Sequence, residues 1–137
     1  MIEMELNKII IDENRQDQII VLKEKGGERL LPIIIGFLEA SAIKMKVSGM
    51  APPRPLTHDL LQGVIESLGA KVQRIVIDKL EDSTFHAKIV LSSNGAGGER
   101  LVDARPSDSI ALAVRVKAPI FVEEEVLRRS ELFHPEQ

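Results

Sequence analysis

Three β-rich segments of this chain occur twice, in the same order. Lys8-Ile-Ile-Ile-Asp12 returns as Arg74-Ile-Val-Ile-Asp78, Ile20-Val-Leu22 as Ile89-Val-Leu91, and Gly26-Gly-Glu-Arg-Leu30 as Gly97-Gly-Glu-Arg-Leu101. The offsets are 66, 69 and 71 residues, so they grow only across the stretches that read as turns. A helix-patterned stretch follows the third segment each time. Two copies of one βββα unit would leave this trace, and so would chance similarity between short β-rich segments. On either reading the chain needs strands in both halves and helices packed on them. The expected class is α+β: one compact domain over residues 1–137, a mostly antiparallel sheet and three to four helices.

The rest of the pattern fills in that plan. Ile2, Met4 and Leu6 alternate with Glu3, Glu5 and Asn7, which predicts a half-buried strand over 2–11. Residues 12–17 are polar and turn-like, 19–22 are a β-branched run, Gly26-Gly27 makes a hairpin turn and 29–35 form a third strand. From Phe37 the pattern becomes helical, with Leu38, Ala42 and Met45 on one face, until Gly49 and the Pro-rich 52–55 stop it. A second helix over 57–68 has Thr57 as its expected N-cap, Asp59 in its first turn, Leu60, Leu61, Val64, Ile65 and Leu68 as its apolar stripe, and Gly69 at its end. Asp12 and Asp78 end matching strands and read as turn residues. A last strong helix starts at Pro106 and is apolar on two faces, which predicts that it is sandwiched. A short strand over 119–122 and a charged tail with a short helix follow.

A chain of 137 residues buries about two thirds of its extended surface on folding, enough for a core without staples. With four Phe and neither Trp nor Tyr, that core has to be aliphatic. The absence of cysteine excludes disulfides, thiolate metal sites and a cysteine nucleophile. No apolar run is long enough to span a membrane, and the acidic start is no signal peptide, so a cytoplasmic protein without membrane contact is expected. The net charge of −3 comes without a dense basic face, because the Lys and Arg pairs are scattered. That argues against tight nucleic-acid binding and leaves transient contact open.

Two segments share a shape: Arg54-Pro-Leu-Thr-His-Asp59 and Arg105-Pro-Ser-Asp-Ser109. Each sets an Arg before a helix start and an Asp within the first turn. Free N–H groups there suit a phosphate, and the Arg could grip it in a bidentate way. Ordinary capping accounts for the same residues, with Arg54 and Arg105 paired to Asp59 and Asp108. Glu39, between Phe37-Leu38 and Ala40, is either a desolvated carboxylate that needs a partner or a residue on its helix's polar edge. His58, the histidine beside a carboxylate, could act as acid, base or ligand, or only help to cap. His86 reads as solvent-facing, His134 has no role, and Asp103 either joins a carboxylate cluster or ends a strand. No Gly-rich phosphate loop, His-Glu-x-x-His, nucleophile elbow or dinucleotide fingerprint is present.

In words and in spacing, Pro32-Ile-Ile-Ile-Gly-Phe-Leu-Glu-Ala40, Arg54-Pro-Leu-Thr-His-Asp-Leu-Leu61, Asp103-Ala-Arg-Pro-Ser-Asp-Ser-Ile-Ala-Leu-Ala-Val114 and Ala118-Pro-Ile-Phe-Val122 resemble the bifunctional nuclease domain family. The resemblance runs over essentially the whole chain. It implies a compact α+β fold, a homo-oligomer, and phosphodiester hydrolysis with DNA and RNA as transient substrates. A divalent cation such as Mg²⁺ would assist, with no organic cofactor. The matching positions put Glu39, His58, Asp59 and Asp108 in catalytic roles, with Glu39, Asp59 and Asp108 holding the metal. Arg54, Arg105 and Ser107 would bind the substrate phosphate, and His58 would move a proton. The alternative is a non-enzymatic oligomeric module that binds a small anion or a protein partner. Convergence of these residues in an open cleft favours the enzyme, and local pairing of scattered residues favours the module.

Overall fold

The computed structural model describes residues 1–14, 16–93 and 97–133. Its strands are β1 (Ile2–Ile10), β2 (Asp17–Glu24), β3 (Leu30–Gly36), β4 (Ala70–Glu81), β5 (Thr84–Ser93), β6 (Glu99–Ala104) and β7 (Ile120–Val122). Its helices are α1 (Phe37–Val47), α2 (Thr57–Ser67), α3 (Pro106–Val116) and α4 (Glu124–Phe133). The strands form one sheet in the order β3-β2-β1-β7-β4-β5-β6. Every pairing is antiparallel except β4 with β7. The class is therefore α+β, with four helices on a seven-stranded, mostly antiparallel sheet.

The repeat in the sequence has a structural counterpart. Each half is a three-strand meander followed by a helix, and the two meanders flank β7. The β1–β2 ladder shifts register between Leu6 and Lys8, and the β4–β5 ladder shifts between Val72 and Arg74. Each shift immediately precedes the matching Ile-rich segment. Such a bulge sharpens strand twist, so both meanders bend at corresponding points.

The core is aliphatic, as the lack of Trp and Tyr requires. Ile20, Leu22, Leu31, Ile75, Ile77, Ile110 and Leu112 are fully buried, each contributing about 1.5–3 kcal/mol of apolar burial. Helix α3 lies deepest and packs against α1, α2, β4 and β5, as its two apolar faces predict. Ser107, Ser109, Ala111 and Ala113 are small enough to let it approach that closely. Arg29 ties the β2–β3 turn to α4 through Glu24 at 3.1 Å and Glu124 at 2.6 Å.

Four local expectations turn out differently. Thr57 is inside α2, and Leu56 is the N-cap; Asp59 Oδ2 reaches back to accept the Leu56 N–H at 2.9 Å. The apolar stripe of α2 is largely uncovered, with Leu60 61%, Val64 46% and Leu68 79% exposed, while Ile65 packs half-buried against the core. Helix α1 buries Ala40, Ala42 and Ile43 rather than the Leu38 side of its stripe. Asp78 lies within β4, which runs on to Glu81, and pairs with Lys88 at 3.3 Å. No helix among the described residues is long and apolar enough to cross a membrane.

Candidate active site

Glu39, Asp59 and Asp108 are each the third residue of their helix, in α1, α2 and α3 respectively. A carboxylate there is favoured by the helix dipole and can reach the free N–H groups of the first turn. The three helix starts lie close together, because α1 and α2 both pack on α3. Where each carboxylate turns decides what it does.

Asp108 and Glu39 turn toward each other across Arg105. His58 Nε2 is 2.8 Å from Asp108 Oδ1. Arg105 donates from Nε to Asp108 Oδ2 at 2.9 Å and from Nη2 to Glu39 Oε2 at 3.2 Å. The result is a continuous chain, Glu39–Arg105–Asp108–His58. His58 is only 8% exposed, whereas the Arg105 side chain is 66% exposed. Its hydrogen bond to Asp108, and then that to Glu39, hold the Arg105 guanidinium more firmly protonated than usual. Glu39 folds back over Gly36, where a Cβ would run into Glu39 Oε1. The glycine before α1 therefore makes room for the carboxylate.

The chain lies along a groove of about 820 Å³ lined by Leu38, Met45, Leu61, Ile65, Leu91 and Val102. The Leu38, Ala42 and Met45 face of α1 lines this groove. With Asp108 a carboxylate, the histidine nitrogen facing it is the N–H donor. Nδ1 of a neutral His58 is then left with a lone pair.

Asp59 turns the other way. Its Oδ1 accepts from Arg115 Nε at 2.7 Å, and the Arg115 side chain is 3% exposed. Arg115 also donates to the Ala111 and Ala42 carbonyls, so it joins α2, α3 and α1. The Leu56 N–H foremost, together with Arg115, holds the Asp59 carboxyl below the usual aspartate range. Arg54 lines a separate pocket with Asp59 and Arg115. Ser107 is 5% exposed and lines a third pocket, which shares Arg105 with the groove but not His58. Asp103 pairs with Lys88 at 3.4 Å, His86 is half-buried, and His134 lies outside the described residues.

The sequence-derived set thus divides. Glu39, His58, Arg105 and Asp108 converge, while Asp59 with Arg54, and Ser107, sit on two other sides. Among the described residues no three His, Asp or Glu are grouped so as to hold a metal ion. Glu39, Asp59 and Asp108 do not fit as a joint ligand set, since Arg105 stands between two of them and Arg115 engages the third. Arg115 and Gly36 are the residues that sequence reasoning missed. A single Arg between Val114 and Val116 on a doubly apolar helix was the available signal for Arg115.

A family model for the bifunctional nuclease domain matches residues 20–134. The chain belongs to the bifunctional nuclease domain family. It is similar to an uncharacterised protein of Mycobacterium tuberculosis, 40% identical over 135 residues that span 98% of this chain and 79% of that one. It is also similar to bifunctional nuclease 2 of Oryza sativa, 32% identical over 114 residues, or 82% of this chain and 35% of the rice protein. Bifunctional nuclease 1 of Arabidopsis thaliana is 32% identical over 105 residues, covering 75% of this chain and 32% of its own length. The bifunctional nuclease domain described here therefore spans about a third of these plant proteins.

Proposed function

We propose that this domain hydrolyses phosphodiester bonds in DNA and RNA at the Glu39–Arg105–Asp108–His58 chain. The observation that carries the reading is the convergence of a histidine–carboxylate pair and an exposed arginine at an open groove. The names of the plant relatives support it. Three helix N-termini add partial positive charge where an anion would sit.

The chemistry follows from the geometry. A substrate phosphate competes with Glu39 for Arg105, whose fork suits two phosphate oxygens. Nδ1 of His58 takes a proton from the attacking water, and Asp108 stabilises the imidazolium that forms. The water oxygen bonds to phosphorus, the bond to the departing sugar oxygen breaks, and that oxygen takes a proton from solvent. Glu39 is freed by the phosphate. A Mg²⁺ ion commonly binds through one or two carboxylates plus substrate phosphates, and Glu39 is the carboxylate then available.

The test is cleavage of labelled single-stranded DNA and RNA by purified protein with Mg²⁺, Mn²⁺ or EDTA. Cleavage that falls about 10²–10⁴-fold in His58→Gln is expected, the usual weight of a general base. Equal cleavage by wild type and His58→Gln would point to a contaminant and sink the reading.

One observation favours the second reading, a non-enzymatic oligomeric module. The apolar side of α2 is exposed beside the groove, and burial against another copy would remove it from water. A chain that associates and binds an anion but cleaves nothing in the same assay would establish that reading instead.

A further inference from the structure

Arg105 is the residue common to two cavities. One is the groove that holds His58, Asp108 and Glu39; the other is a separate pocket of about 420 Å³. That second volume is within the range of small-molecule sites, about 300–1,000 Å³. It lies between β3, the β4–β5 turn and the start of α3. Ile33, Ile35 and Leu80 are its buried apolar wall, and Phe85 adds a half-buried ring. At one end lie Arg105 and Ser107. Ser107 is 95% buried, and its hydroxyl has no hydrogen-bond partner among the described residues. The N–H of Ser107 also lacks a helical partner, because it lies in the first turn of α3. At the other end lies the exposed carboxylate of Asp17, which makes no ion pair among the described residues.

We propose that this pocket takes the nucleoside on one side of the phosphate that Arg105 grips, so that the domain reads its substrate as a nucleotide rather than as a bare phosphodiester. The inference rests on the nuclease reading above and names the substrate subsite of that site. A phosphodiester has two ester arms, and Arg105 faces two cavities. With one arm in the groove, the other enters the pocket. There Ser107 Oγ donates to a phosphate oxygen, the aliphatic wall and Phe85 pack the base, and Asp17 accepts from a sugar hydroxyl or an amino group. A neutral apolar ligand would leave Ser107 and Arg105 unmatched. A simple anion would leave the apolar wall wet. The pocket also supplies affinity that a chain of net charge −3 lacks on its surface.

The experiment is calorimetric titration of the full chain, in EDTA, with adenosine 5′-monophosphate, adenosine and inorganic phosphate separately. The nucleotide should bind at least about tenfold more tightly than either fragment, because both ends of the pocket are then engaged. Ser107→Ala, which nearly conserves volume, should weaken it about tenfold, the loss of one hydrogen bond to a charged group. Ser83 lines the pocket from the exposed β4–β5 turn, so Ser83→Glu keeps the fold and should abolish binding by adding a negative charge to a pocket that takes an anion. Nucleotide binding that ignores both substitutions, or none at millimolar concentration, overturns the proposal even if the protein cleaves nucleic acid. Binding that obeys both substitutions in a protein that cleaves nothing leaves the pocket standing and removes the nuclease reading instead.

Discussion

Asp59 and Asp108 occupy the same position in two helices, follow similar Arg-Pro segments, and serve different ends. Asp108 faces His58 and Arg105 at an open groove. Asp59 neutralises Arg115, whose side chain is 3% exposed and joins three helices. The sequence shows both acids in a first turn but not which way each turns, because that depends on how α1 and α2 pack on α3. Asp59→Asn should cost about 1–3 kcal/mol at neutral pH, since it leaves a buried guanidinium poorly compensated. Urea melts would show it. The sign of the pH effect follows from the lowered pKa of Asp59. Its contribution is full above the ordinary aspartate value, about 3.9, and is lost as pH falls through the lower folded value. The gap between wild type and Asp59→Asn should therefore narrow below about pH 4. Gly36 offers a second check. Its φ of −75° strains no side chain, yet a Cβ there would collide with Glu39 Oε1. Gly36→Ala should therefore change melting temperature little and lower cleavage by displacing Glu39. Unchanged cleavage would show that the placement of Glu39 does not matter.

Elements were more legible than residues. The hairpins, the three helices after Gly36, Leu56 and Arg105, and the buried character of α3 follow from alternation, glycine punctuation and doubly apolar patterning. The repeat gave the two meanders, and the matching register shifts before Lys8 and Arg74 give its segments a common geometry. The apolar stripe of α2 was legible as a stripe but not as an exposed one. Periodicity fixes that a helix has an apolar side, not which surface covers it. We propose that a second copy of the chain covers it. Leu60→Lys combined with Leu68→Lys should then shift the mass seen by light scattering toward the monomer, with monomer stability altered by no more than about 0.5 kcal/mol per site. An unchanged mass would remove α2 from the interface. The β4 extension beyond Asp78 also escaped the sequence, because Lys88 pairs with one oxygen of that carboxylate inside the sheet.

Across the whole molecule, a sheet with a meander on either side of β7 brings the starts of α1, α2 and α3 together. Residues 39, 58, 105 and 108 meet there although they are spread over half the chain. The Lys and Arg pairs are scattered along the sequence, and the net charge is −3. Substrate should therefore be held through one or two phosphates, and the logarithm of affinity for single strands should fall with log salt at a slope of only about −1. A much steeper slope would reveal a basic track outside this site. The central claim is that cleavage belongs to Asp108 and His58 and not to Asp59. Its most direct test compares cleavage of labelled single-stranded DNA and RNA by identically purified wild type, Asp108→Asn and Asp59→Asn, each scaled to its folded fraction. The account predicts loss of cleavage in Asp108→Asn and wild-type cleavage per folded molecule in Asp59→Asn. Loss in Asp59→Asn with cleavage retained in Asp108→Asn would contradict it and move the chemistry to the Arg54–Asp59–Arg115 side of α2.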